Sequence, residues 1–357
     1  MSRTPYVRPA IGEMAGYTPG FQPPRGSQII KLNTNENPYP PSPAVATAIR
    51  KAAENHERLR LYPDPVSSRL RQTAAEIYGV TAEQVMAGNG SDDLLRILLD
   101  TFVDPGEQVG FFDPSYSLYP VLAQIRGASP KAFAFDPATP EPIITTTGIK
   151  LFFLTNPHAP YGLGFSNHFI RRMADQLNGI LVVDEAYGDF AKESALSLLD
   201  QCQNLVVTRT FSKSYALAAM RVGLAFAVPM LIAEMDKARD SYNLDLLAQE
   251  AATAALLDQA YLEKTVTRIK EMRQKFNRQL TEKNFTTYPS QSNFIFTIPP
   301  AGFKAGDLYH YLQQHQVLVR YFSTPPLDRG IRITIGTPEQ MEQVLDIINK
   351  FLSEKEN

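Results

Sequence analysis

Residues 208–223 read TRTFSKSYALAAMRVG: a lysine, Lys213, stands between two serines directly after an apolar run, and Arg221 follows it. A primary amine at the buried end of a strand is costly to desolvate, so its presence there points to a use. Upstream, GILVVDEAYGDF carries a second apolar run that ends in Asp184, Glu185, Ala186 and Tyr187. Further upstream, AGNGSDDLLRILLDTF is a glycine turn feeding an amphipathic helix, with Leu94, Leu95, Leu98 and Phe102 as its apolar stripe. Ser91 suits the cap of that helix, and Asp92 and Asp93 suit the positive end of its dipole. The free N–H groups there could equally hold a phosphate, with Ser212 and Arg221 adding a hydroxyl and a cation. Asp184 also reads two ways, as a strand cap or as a carboxylate that keeps a pyridine nitrogen protonated. Ligands of a parallel sheet bind at the carboxyl ends of its strands, so one edge would present both acid and amine.

The elements that must position these groups are legible as alternating short apolar runs and helical patterns. Strands are expected over 109–112, 150–155, 180–184, 205–210 and 222–228, with helices over 91–102 and 166–177 between them. Fully apolar strands alternating with helices argue for a mostly parallel sheet covered on both faces. Near residue 240 the texture changes to two long helical patterns, 244–257 and 261–283. Shorter strands at 293–298, 317–321 and 330–335 follow, and a helix over 338–352 closes the chain. The expected division is an N-terminal arm over 1–32, a large domain over 33–243 and a smaller α+β domain over 244–357.

The chain has 357 residues, 44% hydrophobic and 20% charged, with a formal net charge of −2. That balance gives no broad basic face for nucleic acid or an anionic membrane, so any phosphate must be bound locally. The one cysteine, Cys202, excludes an internal disulfide and has no metal-site spacing, so no metal is expected. No signal sequence or membrane span is visible, and a soluble, cytoplasmic protein is expected.

Taken together, these stretches resemble the fold-type I, pyridoxal-phosphate-dependent aminotransferases, and within them the histidinol-phosphate aminotransferases. The resemblance runs through nearly the whole chain. GYTPG (from Gly16), KLNTNENPYP (Lys31), LYPD (Leu61), GNGSDDLLR (Gly88), DPSYSLY (Asp113) and NPHAPYG (Asn156) carry its first half. DEAY (Asp184), TFSKSYALAAMRVG (Thr210), SYN (Ser241) and GIRITIGT (Gly330) follow in the family's order. It implies a large domain with a mostly parallel seven-stranded sheet covered by helices, a smaller α+β C-terminal domain, and pyridoxal 5'-phosphate as cofactor. The implied reaction moves the amino group of histidinol phosphate to 2-oxoglutarate.

The resemblance also implies roles. Lys213 would hold the cofactor aldehyde and then shuttle protons, Asp184 would pair with the ring nitrogen, and Tyr187 would donate to the phenolic oxygen. Tyr116 would stack on the ring, and Asn156 belongs to the cofactor contacts. Ser91, Asp92, Asp93, Thr210, Ser212 and Arg221 would bind the phosphate. Tyr62 would reach the neighbouring subunit's phosphate, which implies a homodimer with shared sites. Arg332 would clamp the substrate's acidic group, with Tyr17, Asn35 and Arg320 as further substrate contacts and Tyr242 and Asn243 nearby. Three features depart from the pattern. Ala159 replaces an asparagine that contacts the phenolic oxygen, His158 is atypical, and the 134–148 segment is short and proline-rich. Other substrates on the same cofactor stay open, namely an aromatic or secondary-metabolite amino donor. So do a phosphothreonine decarboxylase-like lyase and a cofactor-free binding protein.

Overall fold

A computed structural model describes residues 6–18, 20–24 and 26–356. Residues 1–5, 19 and 25 of the expected arm, among them Pro19 of GYTPG, lie outside the described residues, as does residue 357. The chain's strands are β1 Ile30–Lys31, β2 Val85–Gly88, β3 Gln108–Asp113, β4 Ser129–Ala134, β5 Ile149–Thr155, β6 Ile180–Asp184 and β7 Leu205–Thr210. They continue with β8 Gly223–Phe226, β9 Thr286–Thr287, β10 Phe294–Ile298, β11 Val317–Leu318, β12 Arg320–Tyr321 and β13 Ile331–Thr334.

Seven of them form the large sheet, in the order β2-β8-β7-β6-β5-β3-β4. The expected mostly parallel sheet is present: β4, β3, β5, β6 and β7 pair in parallel. Only β8 runs against its neighbours, pairing antiparallel with both β7 and β2. The reason is the short 211–222 connection. A parallel return needs a crossover, usually a helix, and here the chain turns back directly. The strands are apolar on both faces because both are covered. Along β6, Leu181 and Val183 enter one core while Val182 enters the other; β7 splits Leu205 and Val207 from Val206 in the same way.

The second sheet is antiparallel, β12-β13-β10-β9, and is flanked by the helices Gln259–Glu282, Ala305–Gln314 and Pro338–Glu356. Stripes such as Met341, Val344, Ile348 and Phe351 close its core. Two packing details bear on the proposed division. The helix Leu246–Leu257 buries Ala248, Ala251, Ala252 and Ala255 in the large domain's core, although the sequence texture grouped it with the small one. The chain also enters through the small domain: β1 pairs in parallel with β11, and Leu32 joins the core there. Residues 33–37 then pass between the two bodies.

Candidate active site

Strand register sets the first group of side chains. Thr155 on β5 is level with Asp184 on β6, and Asp184 is level with Thr208 on β7, so the three share one sheet face. Asp184 is buried, and its carboxylate accepts from Tyr119 Oη at 2.9 Å, Thr208 Oγ1 at 3.4 Å and the Ala186 N–H at 3.1 Å. Tyr119 also bonds Thr155 Oγ1 at 2.6 Å. Burial pushes the Asp184 carboxyl up to about 6, against the pull of these donors. A cation placed beside it would reverse that shift.

Lys213 follows β7 on the 211–222 turn. Its Nζ donates to the Thr34 carbonyl at 3.1 Å. Asn37 Nδ2 donates to the carbonyls of Lys213 and Ser214 at 3.1 and 2.9 Å, fixing the backbone that carries the amine. Burial, and then the positive charge of Arg332, bring the Lys213 amine down to about 8. A free amine is thereby accessible near neutral pH, as a general base requires.

Because β8 turns back, Arg221, two residues before it, lies at the same edge, beside the helix Ser91–Phe102. That helix has Gly90 as N-cap and no side-chain cap, so its first N–H groups are left to the cavity. Arg221 donates to Ser212 Oγ at 3.2 Å and lies 3.3 Å from Asp92 Oδ2. Glycine is required where these segments meet. Gly90 has φ +85°, and a Cβ there would lie 2.5 Å from Arg221 Nη2; one on Gly223 would lie 2.8 Å from the Ser91 nitrogen. The uncapped N–H groups, Arg221, Ser212 and Thr210 fit a phosphate, and a buried lysine and aspartate in the same cavity fit the aldehyde and ring nitrogen of pyridoxal 5'-phosphate.

The opposite wall comes from residues 33–37 and the small domain. Asn35 Nδ2 donates to Tyr187 Oη at 2.8 Å. Thr334 Oγ1 accepts from the Asn35 N–H and donates to Asn35 Oδ1, which orients the amide and leaves the tyrosine's own proton for the cavity. Arg332 Nη2 donates to the Asn33 carbonyl at 3.1 Å, while its buried Nε has no hydrogen-bond partner among the described residues. Burial, with Arg320 beside it, lowers the Arg332 guanidinium. Tyr116 donates to Asp92 Oδ1 at 3.0 Å and meets Tyr17 edge-on at 5.9 Å between ring centres.

One cleft gathers most of the expected residues. Tyr17, Asn35, Ser91, Asp92, Tyr116, Asp184, Tyr187, Thr210, Ser212, Lys213, Arg221, Arg320 and Arg332 all line it, and Ala159 sits in its wall. Five expected residues, Asp93, Asn156, Tyr62, Tyr242 and Asn243, are elsewhere. Asp93 turns back to the Asn89 N–H and Arg96. Asn156 holds the Phe165 N–H with its side chain. Tyr62 is 80% exposed and stacks on Tyr242, with ring centres 4.4 Å apart, outside this chain's cleft. Asn243 ties the segment after Arg239 to the Ala87 carbonyl. His158 is buried against Phe135, with ring centres 3.8 Å apart. Sequence reasoning passed over Thr34, Thr155, Ser115 and Phe322, which also line the cleft, and Tyr119 behind Asp184. The i, i+3 spacing of Tyr116 and Tyr119 was the one signal for the last.

Comparison with known proteins gives the same picture. The family model for aminotransferase class I and II matches residues 27–348. A histidinol-phosphate aminotransferase of Citrifermentans bemidjiense is 48% identical over 346 residues, covering 97% of this chain and 98% of that protein. One of Synechocystis is 46% identical over 341 residues, covering 95% and 96%. The crystal structure of histidinol-phosphate aminotransferase from Sinorhizobium meliloti in complex with pyridoxal-5'-phosphate superposes with a TM-score of 0.85. It shares 26% identity and covers 98% of this chain and 99% of that one.

Proposed function

We propose that this chain, which belongs to the class I and II aminotransferase family, moves the amino group of histidinol phosphate to 2-oxoglutarate, giving imidazole acetol phosphate and glutamate. It is a transaminase, and pyridoxal 5'-phosphate is its cofactor. The observation that carries the substrate reading is the pair Arg320 and Arg332, which face the cleft opposite Lys213. Both substrates are anions, and guanidinium forks suit carboxylate and phosphate alike.

Lys213, Asp184, Tyr187, Tyr116, Thr210, Ser212, Arg221, and the N–H groups at Ser91 and Asp92 would hold the cofactor. When bound, pyridoxal 5'-phosphate supplies a covalent handle for an amine and an electron-withdrawing ring that makes the amine's α-proton removable. The Lys213 Nζ would take that proton and give it up again, moving between base and acid as its depressed basicity permits. Asp184 holds negative charge where the ring needs a counter-ion, with Tyr119 and Thr208 fixing its carboxylate. Tyr187 is aimed by Asn35 and, with Ala159 in place of an amide, would donate to the phenolic oxygen. Arg332 and Arg320 orient the substrate anion.

The reading includes a cytoplasmic homodimer. Leu59, Leu61, Tyr62 and Tyr242 are exposed, and Tyr62 stacks on Tyr242, which supports a role for Tyr62 at a partner's site. Among the described residues, no helix is long and apolar enough to cross a membrane. Borohydride reduction of the holoenzyme followed by peptide mapping tests the assignment of the lysine. The label is expected on Lys213, and a label on another lysine would overturn it.

A further inference from the structure

Below the cleft, on the other face of the sheet, lies a charged cluster that the transamination reading does not use. Arg209 on β7 precedes Thr210, and Glu185 follows Asp184. Arg209 Nη2 lies 2.8 Å from Glu185 Oε2, and Nη1 lies 2.5 Å from Asp189 Oδ1. Glu185 is closed off by the Ala195 N–H at 2.6 Å and Ser194 Oγ at 2.8 Å. The remaining oxygen of Asp189 accepts from the hydroxyl of Ser214, the residue next to Lys213. Glu185 and Arg209 are buried, and Gly188 leaves room for them: a Cβ there would lie 2.9 Å from both Arg209 Cζ and Glu185 Oε2.

A buried ionic cluster is weak as a source of stability, because desolvation offsets most of the attraction. Its retention is better explained by geometry. The 211–222 segment that carries Lys213 has only a short 3-10 turn, so no ladder or long helix fixes it. The cluster ties the end of β6 to the end of β7 and then, through Ser214, to the lysine's own backbone. Asn37 holds the same peptide from the opposite side.

We propose that Asp189, held by Arg209 and acting through Ser214, is a positioning residue that fixes Lys213 relative to Asp184. This rests on the reading of Lys213 as the proton-carrying amine. Transfer rates are sensitive to misplacement of the acting group by as little as an ångström, which can cost ~10²-fold.

Ser214→Ala cuts the link and leaves the ion pairs in place. The glutamate half-reaction, Tm and amide hydrogen exchange of residues 211–217 are compared with those of the wild type and Ser214→Thr. The exchange is measured with and without cofactor. In Ser214→Ala, kcat should fall by roughly tenfold with KM for glutamate little changed, consistent with imperfect positioning. Exchange at 211–217 should rise even in the cofactor-free protein, and Ser214→Thr should restore both. Wild-type kcat and wild-type exchange in Ser214→Ala would overturn the inference. So would a fall in kcat that only tracks a lower Tm and lost cofactor. If Ser214→Ala does not fold, Asp189→Asn is read by the same criteria, and unchanged kcat there overturns it too. A wild-type protein that fails the half-reaction would instead sink the transaminase reading.

Discussion

Arg320 on β12 and Arg332 on β13 stand directly opposite one another in an antiparallel pair, and both line the cleft. Their guanidinium carbons lie 5.2 and 5.8 Å from the Phe322 ring, which they share. Like charges in cross-strand register are destabilising, so the arrangement calls for an anion between the cation heads and Lys213. Replacing either arginine by alanine should lower kcat/KM for an anionic substrate by about 10–100-fold, the value of a charge-assisted hydrogen bond. Arg332→Ala should impair both half-reactions. Equal kcat/KM in wild type and Arg332→Ala would count against the assignment.

Asp184→Asn separates activity from stability. Burial raises this carboxyl from 3.8 to about 6, so the folded state disfavours its ionised form. In the cofactor-free protein that cost is absent below pH ~4, grows between ~4 and ~6, and is complete above, at roughly 3 kcal/mol. The cofactor-free mutant should therefore melt higher than wild type at pH 8, with the gap shrinking as pH falls below 6. Its turnover should drop by ~10²–10³-fold, because the ring loses its counter-ion. Near-normal kcat in the mutant would make Asp184 a strand cap only.

Gly90→Ala tests the phosphate cradle. The added methyl would enter the space of Arg221 Nη2, at a backbone conformation that costs a non-glycine residue of order 1–3 kcal/mol. Cofactor should dissociate more readily on dialysis, by about 2–10-fold in Kd if half that strain falls on the bound state. Undiminished retention would show that the phosphate lies elsewhere.

How much of this was legible beforehand depended on whether one strand or several set a residue's place. Asp184 and Lys213 were readable because each follows an apolar run whose carboxyl end must reach the same sheet edge. Arg221 was readable as a residue but not as part of a returning strand, because the sequence 211–222 does not announce that β8 reverses. Thr155 was invisible as a site residue, since only the register of β5 against β6 puts its hydroxyl beside the acid, and Tyr119, on the helix Leu118–Arg126, had only its spacing from Tyr116 to mark it. The alanine-rich helix Leu246–Leu257 misled because its pattern gives a face but not a partner. Asp93 looked equivalent to Asp92 in the sequence; one helical position apart, it points back to Asn89 and Arg96 instead.

The role proposed for Tyr62 requires a second chain. Mixing inactive Lys213→Ala protein with Tyr62→Phe protein should restore partial activity, provided Tyr62→Phe is itself strongly impaired and subunits exchange. One site of the mixed dimer then carries neither defect. No recovery under those conditions, or a monomer in sedimentation, would remove the shared-site proposal.

The account's central claim is most directly tested by kcat/KM for four amines with the wild-type holoenzyme and 2-oxoglutarate: histidinol phosphate, histidinol, phenylalanine and phosphothreonine. Histidinol phosphate should give the highest value, with histidinol lower by about 10–100-fold for want of the dianion that Arg320 and Arg332 meet. Glutamate should appear in step with imidazole acetol phosphate. A higher value for phenylalanine, or carbon dioxide released from phosphothreonine, would contradict it.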